Sequence, residues 1–82
     1  MTQYMVIETF LENSTENVYE RFHKKGRMLP DGLNYVDSWL TNDGTRCFQL
    51  METTRYELFQ DWTERWDDLT HFEIIEIGSK PE

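Results

Sequence analysis

Eighty-two residues leave room for one hydrophobic core, so the chain reads as a single domain over 1–82 with 79–82 as a flexible tail. Sixteen acidic residues against eight basic give a net charge of −8, which repels phosphates and argues against nucleic acid and anionic membrane as partners. One cysteine, Cys47, excludes an intrachain disulfide and a zinc site of several thiolates.

The start, MTQYMVIETF, lacks a basic leader, and no apolar run approaches the roughly 20 residues of a membrane span, so a cytoplasmic protein is expected. Aromatic residues make up 15% of the chain, enough rings to build a core and to argue against disorder. A domain of this size buries its apolar surface incompletely, which favours a shared interface.

Tyr4 to Phe10 reads as a strand, with Met5, Ile7 and Thr9 on one face and Tyr4, Val6, Glu8 and Phe10 on the other. Asn13 or Ser14 can cap a helix over Thr15 to Lys25 whose buried line is Val18 and Phe22, ended by Gly26. Leu29-Pro30-Asp31-Gly32 is turn chemistry and lacks the glycine spacing of a phosphate loop. Strands follow at Asn34 to Leu40 and Arg46 to Glu52, joined by Asn42-Asp43-Gly44.

If Thr41 faces Thr45, this hairpin pairs Trp39 with Cys47, Asp37 with Gln49 and Tyr35 with Met51, six residues on one face. Val36, Ser38, Phe48 and Leu50 form the other face, the more apolar set and the expected bed for helices. A second helix opens at Thr53 or Thr54 and runs to about Leu69. Leu58, Phe59, Trp62, Trp66 and Leu69 share its apolar sector, and Glu57, Asp61, Glu64 and Asp68 lie opposite, with Arg65 placed to relieve Asp61. Phe72 to Ile77 is the last strand.

The order strand, helix, strand, strand, helix, strand is the α+β, ferredoxin-like βαββαβ arrangement, a four-stranded antiparallel sheet with both helices on one face. The other face must meet solvent, a ligand or a second subunit. Tyr35, Asp37, Trp39, Cys47, Gln49 and Met51 are expected there as ligand-binding residues, joined by Glu8 and Glu73 if those side chains of the other two strands face outward, and by Arg27 at the mouth.

Asp37 is the candidate catalytic residue. A carboxylate between Tyr35 and Trp39 suits a general base or hydrogen-bond anchor, and equally a structural ion pair with Arg27 or Arg46. Cys47 has no histidine partner in sequence and reads as a small buried hydrophobe before a nucleophile. His23 and His71 are too isolated for a metal pair, so no metal site is expected, and no cofactor is indicated. Trp62 and Trp66 at helical spacing read as core. Arg27 suits either an intersubunit salt bridge or an anionic ligand group.

The blocks GRMLPDGLNYVDSW (Gly26 to Trp39) and RCFQLME (Arg46 to Glu52), the helix segment Trp62 to Leu69 and the final strand Phe72 to Ile77 resemble a bacterial family of small uncharacterised domains with the pattern GRMLPxGLxYVDSW, a short turn, then RCFQLME. The likeness extends from Tyr4 onward and departs at Glu76, where the family often has proline. It implies a dimeric α+β barrel, two open sheet faces meeting around a central cavity, and implies no activity. Cofactor-free oxygenases, isomerases and haem-dependent enzymes share that barrel, but none of their catalytic constellations maps onto residues of this chain.

Two functions therefore stand as expectations. One is a homodimer that binds, and under one version transforms, a small organic molecule in a cavity on the helix-free face. The alternative is a non-catalytic dimerisation or protein-interaction module that consumes the same face in packing. A regulatory subunit presenting its acidic helix face to a basic partner is a third reading.

Overall fold

Strand alternation and helical periodicity resolve into six elements in the computed structural model, which describes residues 1–78: β1 (Thr2–Phe10), α1 (Thr15–Lys25), β2 (Asn34–Leu40), β3 (Arg46–Thr53), α2 (Leu58–Glu64) and β4 (Thr70–Ile77). The tail expected at 79–82 lies outside the described residues. The sheet order is β2-β3-β1-β4, every neighbouring pair antiparallel, which is the ferredoxin-like fold.

In β1 the residues Tyr4, Val6 and Glu8 are buried and alternate with half-buried Met5, Ile7 and Thr9. Because directly opposed residues of an antiparallel pair share a face, Tyr4 brings Met51, Val6 brings Gln49 and Glu8 brings Cys47 to the same side. That side packs against the helices. Val18 of α1, Leu58, Phe59 and Trp62 of α2, and Trp66 join Tyr4, Val6, Leu33 and Met51 in one core.

α1 has its expected bounds. Ser14 precedes it without a side-chain cap bond, and Gly26, at φ 66°, ends it with its N–H donating to the Phe22 carbonyl at 2.7 Å. α2 is shorter than its periodicity suggests. At its start, Thr53 completes β3 and its hydroxyl accepts from the Arg55 N–H at 3.0 Å. At its end, tight turns replace the helix, with Arg65 N–H donating to Trp62 O, Trp66 to Thr63 O and Leu69 to Trp66 O, all at 3.0–3.1 Å. These turns keep Trp66 and Leu69 against the core while redirecting the chain into β4.

The β2–β3 hairpin departs from the expected register. Thr41 pairs with Arg46 and not with Thr45, because Asp43 builds a loop one residue longer: its Oδ1 accepts from the Thr41 hydroxyl at 2.7 Å, the Thr45 hydroxyl at 2.8 Å and the Thr45 N–H at 3.0 Å. Trp39 therefore faces Phe48, Ser38 faces Gln49 and Leu40 faces Cys47. A bulge at Val36 absorbs the extra residue, so Tyr35 meets Met51 as expected while Asp37 meets Leu50.

The face assignment is corrected accordingly. Cys47, Gln49, Met51 and Tyr35 lie on the helix side, with Ser38 and Leu40; Asp37 and Trp39 lie on the helix-free side with Phe48 and Leu50. Glu8, expected on the outer face, is 8% exposed beneath the helices. Among the described residues no helix is long and apolar enough to cross a membrane.

Candidate functional site

A cavity of about 320 Å³ lies between the sheet and the helices. Its polar floor is Glu8 on β1, Cys47 and Gln49 on β3 and Ser38 on β2; Arg27 enters from the loop after α1. The walls are Phe10, Tyr19, Phe22, Leu40, Trp62 and Trp66. Four residues expected to bind a ligand thus meet at one place: Glu8, Arg27, Cys47 and Gln49.

Three donors from the end of α2 hold the loop that carries Arg27. The indole N–H groups of Trp62 and Trp66 both donate to the Arg27 carbonyl, at 2.9 and 3.0 Å, and an Arg65 guanidinium N–H donates to the carbonyl of Met28. Met28 sits at φ 58°, a left-handed conformation rarely taken by a residue with a side chain, so these bonds offset backbone strain of order 1–2 kcal/mol. Arg65 is thus committed to the loop and not to Asp61, while Arg21 forms the bidentate ion pair with Asp68 at 2.7 and 2.8 Å.

With its backbone fixed, the Arg27 guanidinium lies over the Tyr35 ring at 3.7 Å and over Phe22 at 5.1 Å. Its Nε donates to Gln49 Oε1 at 3.3 Å, and Gln49 Nε2 donates to a carboxylate oxygen of Glu8. Gln49 uses its two ends to join a cation to an acid across the cavity floor. No buried side-chain nitrogen or oxygen among the described residues lacks a hydrogen-bond partner, so the ends of Arg27 and Glu8 that make no bond open into accessible space.

Burial dominates the electrostatics. It pushes the Glu8 carboxyl up to about 7, against the smaller opposing effects of the Gln49 bond and the Arg27 charge. Burial and then the neighbouring Glu8 push the Cys47 thiol up to about 11, which keeps it protonated at neutral pH and unsuited to nucleophilic attack.

The remaining expected site residues lie elsewhere. Met51 is fully buried in the core, and Tyr35 reaches the site through its stack on Arg27. Asp37 is exposed on the opposite face, its Oδ1 accepting from the Ser38 N–H at 2.8 Å, and Trp39 beside it is 50% exposed. His23 and His71 are both exposed, and no group of His, Cys, Asp and Glu among the described residues could hold a metal ion.

Sequence reasoning assigned Trp62 and Trp66 to the core, where they are, and missed their second task of clamping Arg27. A signal existed: a buried indole seeks an acceptor for its N–H, and two of them one turn apart can share a carbonyl. Tyr19, Phe22 and Phe10 were likewise not read as cavity walls.

The model of a family described as a domain of unknown function (DUF3303) matches residues 2–77. No curated protein and no solved structure matches the chain.

Proposed function

The chain belongs to this DUF3303 family, whose description assigns no activity, and from that premise we propose that it is a homodimeric binding protein for a small organic molecule held between its sheet and helices. The observation that carries the reading is the convergence of Glu8, Gln49 and Arg27 in a cavity of about 320 Å³ otherwise walled largely by aromatic rings. Ligand pockets are of this kind, mostly apolar with a few placed polar groups and roughly 300–1,000 Å³ in volume. A purely structural core would gain by apolar residues at positions 8 and 49, because buried polar groups cost free energy unless fully paired. Glu8 is the group suited to transfer a proton to or from a bound molecule, since its carboxyl titrates near neutrality.

The homodimer rests on the other face. Met5, Ile7, Phe48 and Leu50 are only partly buried there, and Trp39 and Ile75 are exposed by 50% and 42%. A second copy laid on this face would cover them, with Asp37 at the edge. In this reading cavity and dimer interface occupy opposite sides of one sheet. The alternative, an interaction module without a ligand, is favoured only by that apolar face and predicts a dimer that retains nothing.

Native mass spectrometry of protein purified from its own host tests both halves. The expected spectrum is a dimer carrying a retained small molecule, and Phe48→Glu, which places two like charges across the interface, yields a monomer that keeps the cavity. A bare monomer from the unmodified chain contradicts the proposal.

A further inference from the structure

Arg27 has the features of an anion receptor. Its guanidinium lies 3.7 Å from the Tyr35 ring centre and 5.1 Å from that of Phe22, its carbonyl is held by two indoles, and of its guanidinium nitrogens only Nε is bonded, to Gln49. No carboxylate among the described residues forms an ion pair with it, although the chain carries twice as many acids as bases. Its terminal nitrogens therefore open into accessible space. A planar fork of N–H donors fixed in this way matches a carboxylate in two parallel bonds.

Resting on the cavity reading above, we propose that the ligand is a small planar aromatic carboxylate, its ring packed among Phe10, Tyr19, Trp62 and Trp66 and its carboxylate taken by the terminal nitrogens of Arg27. The walls select a flat apolar body, and among the described residues no other cation lines this cavity. Specificity for the charge arises because Gln49 occupies Nε and leaves the paired terminal donors for the ligand.

Glu8 then couples binding to a proton. Among the described residues the titratable groups lining the cavity with it are Arg27, Cys47 and Tyr19; the helix walls are otherwise uncharged, and Phe72 lies opposite on β4. With Glu8 ionised its charge offsets Arg27, and with Glu8 protonated the cation stands alone. An anion therefore binds better to the protonated form and draws a proton into Glu8 as it enters. The same carboxyl, pushed up by burial, makes that exchange available near neutral pH.

2-Naphthoate and its neutral counterpart 2-naphthamide are suitable probes, titrated into the intact protein carrying Trp39→Phe so that quenching reports on Trp62 and Trp66 alone. The expected result is naphthoate binding about tenfold or more tighter than the amide, in keeping with a charge-assisted bond. Its affinity should rise as the pH falls from 8 to 6, and Glu8→Gln should flatten that rise. Arg27→Gln should bring the two probes to equal affinity.

Equal affinities in the Arg27-containing protein, or tighter binding of the amide, overturn the proposal while leaving the cavity reading intact, and that comparison needs no substitution at Arg27. Binding of neither probe overturns both. If Arg27→Gln splits the dimer and leaves naphthoate affinity unchanged, Arg27 is an intersubunit ion-pair partner and the proposal fails.

Discussion

Glu8 stands on β1 where the alternation Tyr4, Val6, Glu8 gives every other side chain to the core, so a carboxyl occupies a place suited to an apolar group. Its folded pKa, pushed up to about 7 from 4.5, makes the native state the stronger proton binder. Below pH 4.5 the acid is neutral in folded and unfolded chains alike, and burial costs little. As the pH rises from there through about 7 the unfolded chain ionises first, and native stability falls by roughly 3 kcal/mol, levelling above that range. Asp43 works in a separate window. Its hydrogen bond from Thr41, then those from Thr45, hold its carboxyl at about 2, a contribution present above 3.8 and lost as the pH falls through 2. Glu8→Gln keeps an acceptor for Gln49 Nε2 and removes the charge, so urea titrations should find the variant more stable than the parent by roughly 3 kcal/mol at pH 8 and little different at pH 4.5. Identical pH slopes in the two proteins would show that Glu8 is not the buried acid described.

At the level of elements, α1 and the apolar sector of α2 followed from helical spacing, and β1 and β4 from alternation. The β2–β3 hairpin resisted because two offsets of one residue hide in it. Asp43 lengthens the loop by its own hydrogen bonds, and Val36 bulges to take up the difference before Tyr35. Neither residue type announces such a step, since Asn42-Asp43-Gly44 suits loops of more than one length and a bulge needs no glycine. Between the two offsets the side chains of β2 exchange partners on β3, so Asp37 and Trp39 stay on the helix-free face while Gln49 and Cys47 turn to the helices. Deleting Val36 should therefore join Tyr35 to Asp37 without altering any pair, because these already face Met51 and Leu50 in succession. The variant is expected to fold with stability within about 1 kcal/mol of the parent, as for most edge changes that leave the core untouched. Collapse of the fold, measured by circular dichroism and denaturant titration, would mean that the bulge itself sets the sheet's twist.

Across the whole molecule, the order of elements and the ferredoxin-like sheet could be read from the sequence, but which face the helices cover could not. Both faces are apolar: Tyr4, Val6 and Met51 on one, Met5, Ile7, Phe48, Leu50 and Ile75 on the other, so the rule that the more apolar side lies inside had no purchase. The candidate site suffered the same ambiguity. Glu8, Arg27, Cys47 and Gln49 stand among the residues expected on the helix-free face or at its mouth, and their meeting point under the helices depends on β1 pairing and on an arginine held by two indoles. The chain's three tryptophans report on that placement directly, since Trp62 and Trp66 line the cavity and Trp39 lies on the opposite face. Proton–nitrogen correlation spectra of the indole N–H groups, recorded while 2-naphthoate is added, should shift the Trp62 and Trp66 signals and leave Trp39 in place; a shift confined to Trp39 would put the ligand on the helix-free face and contradict the account.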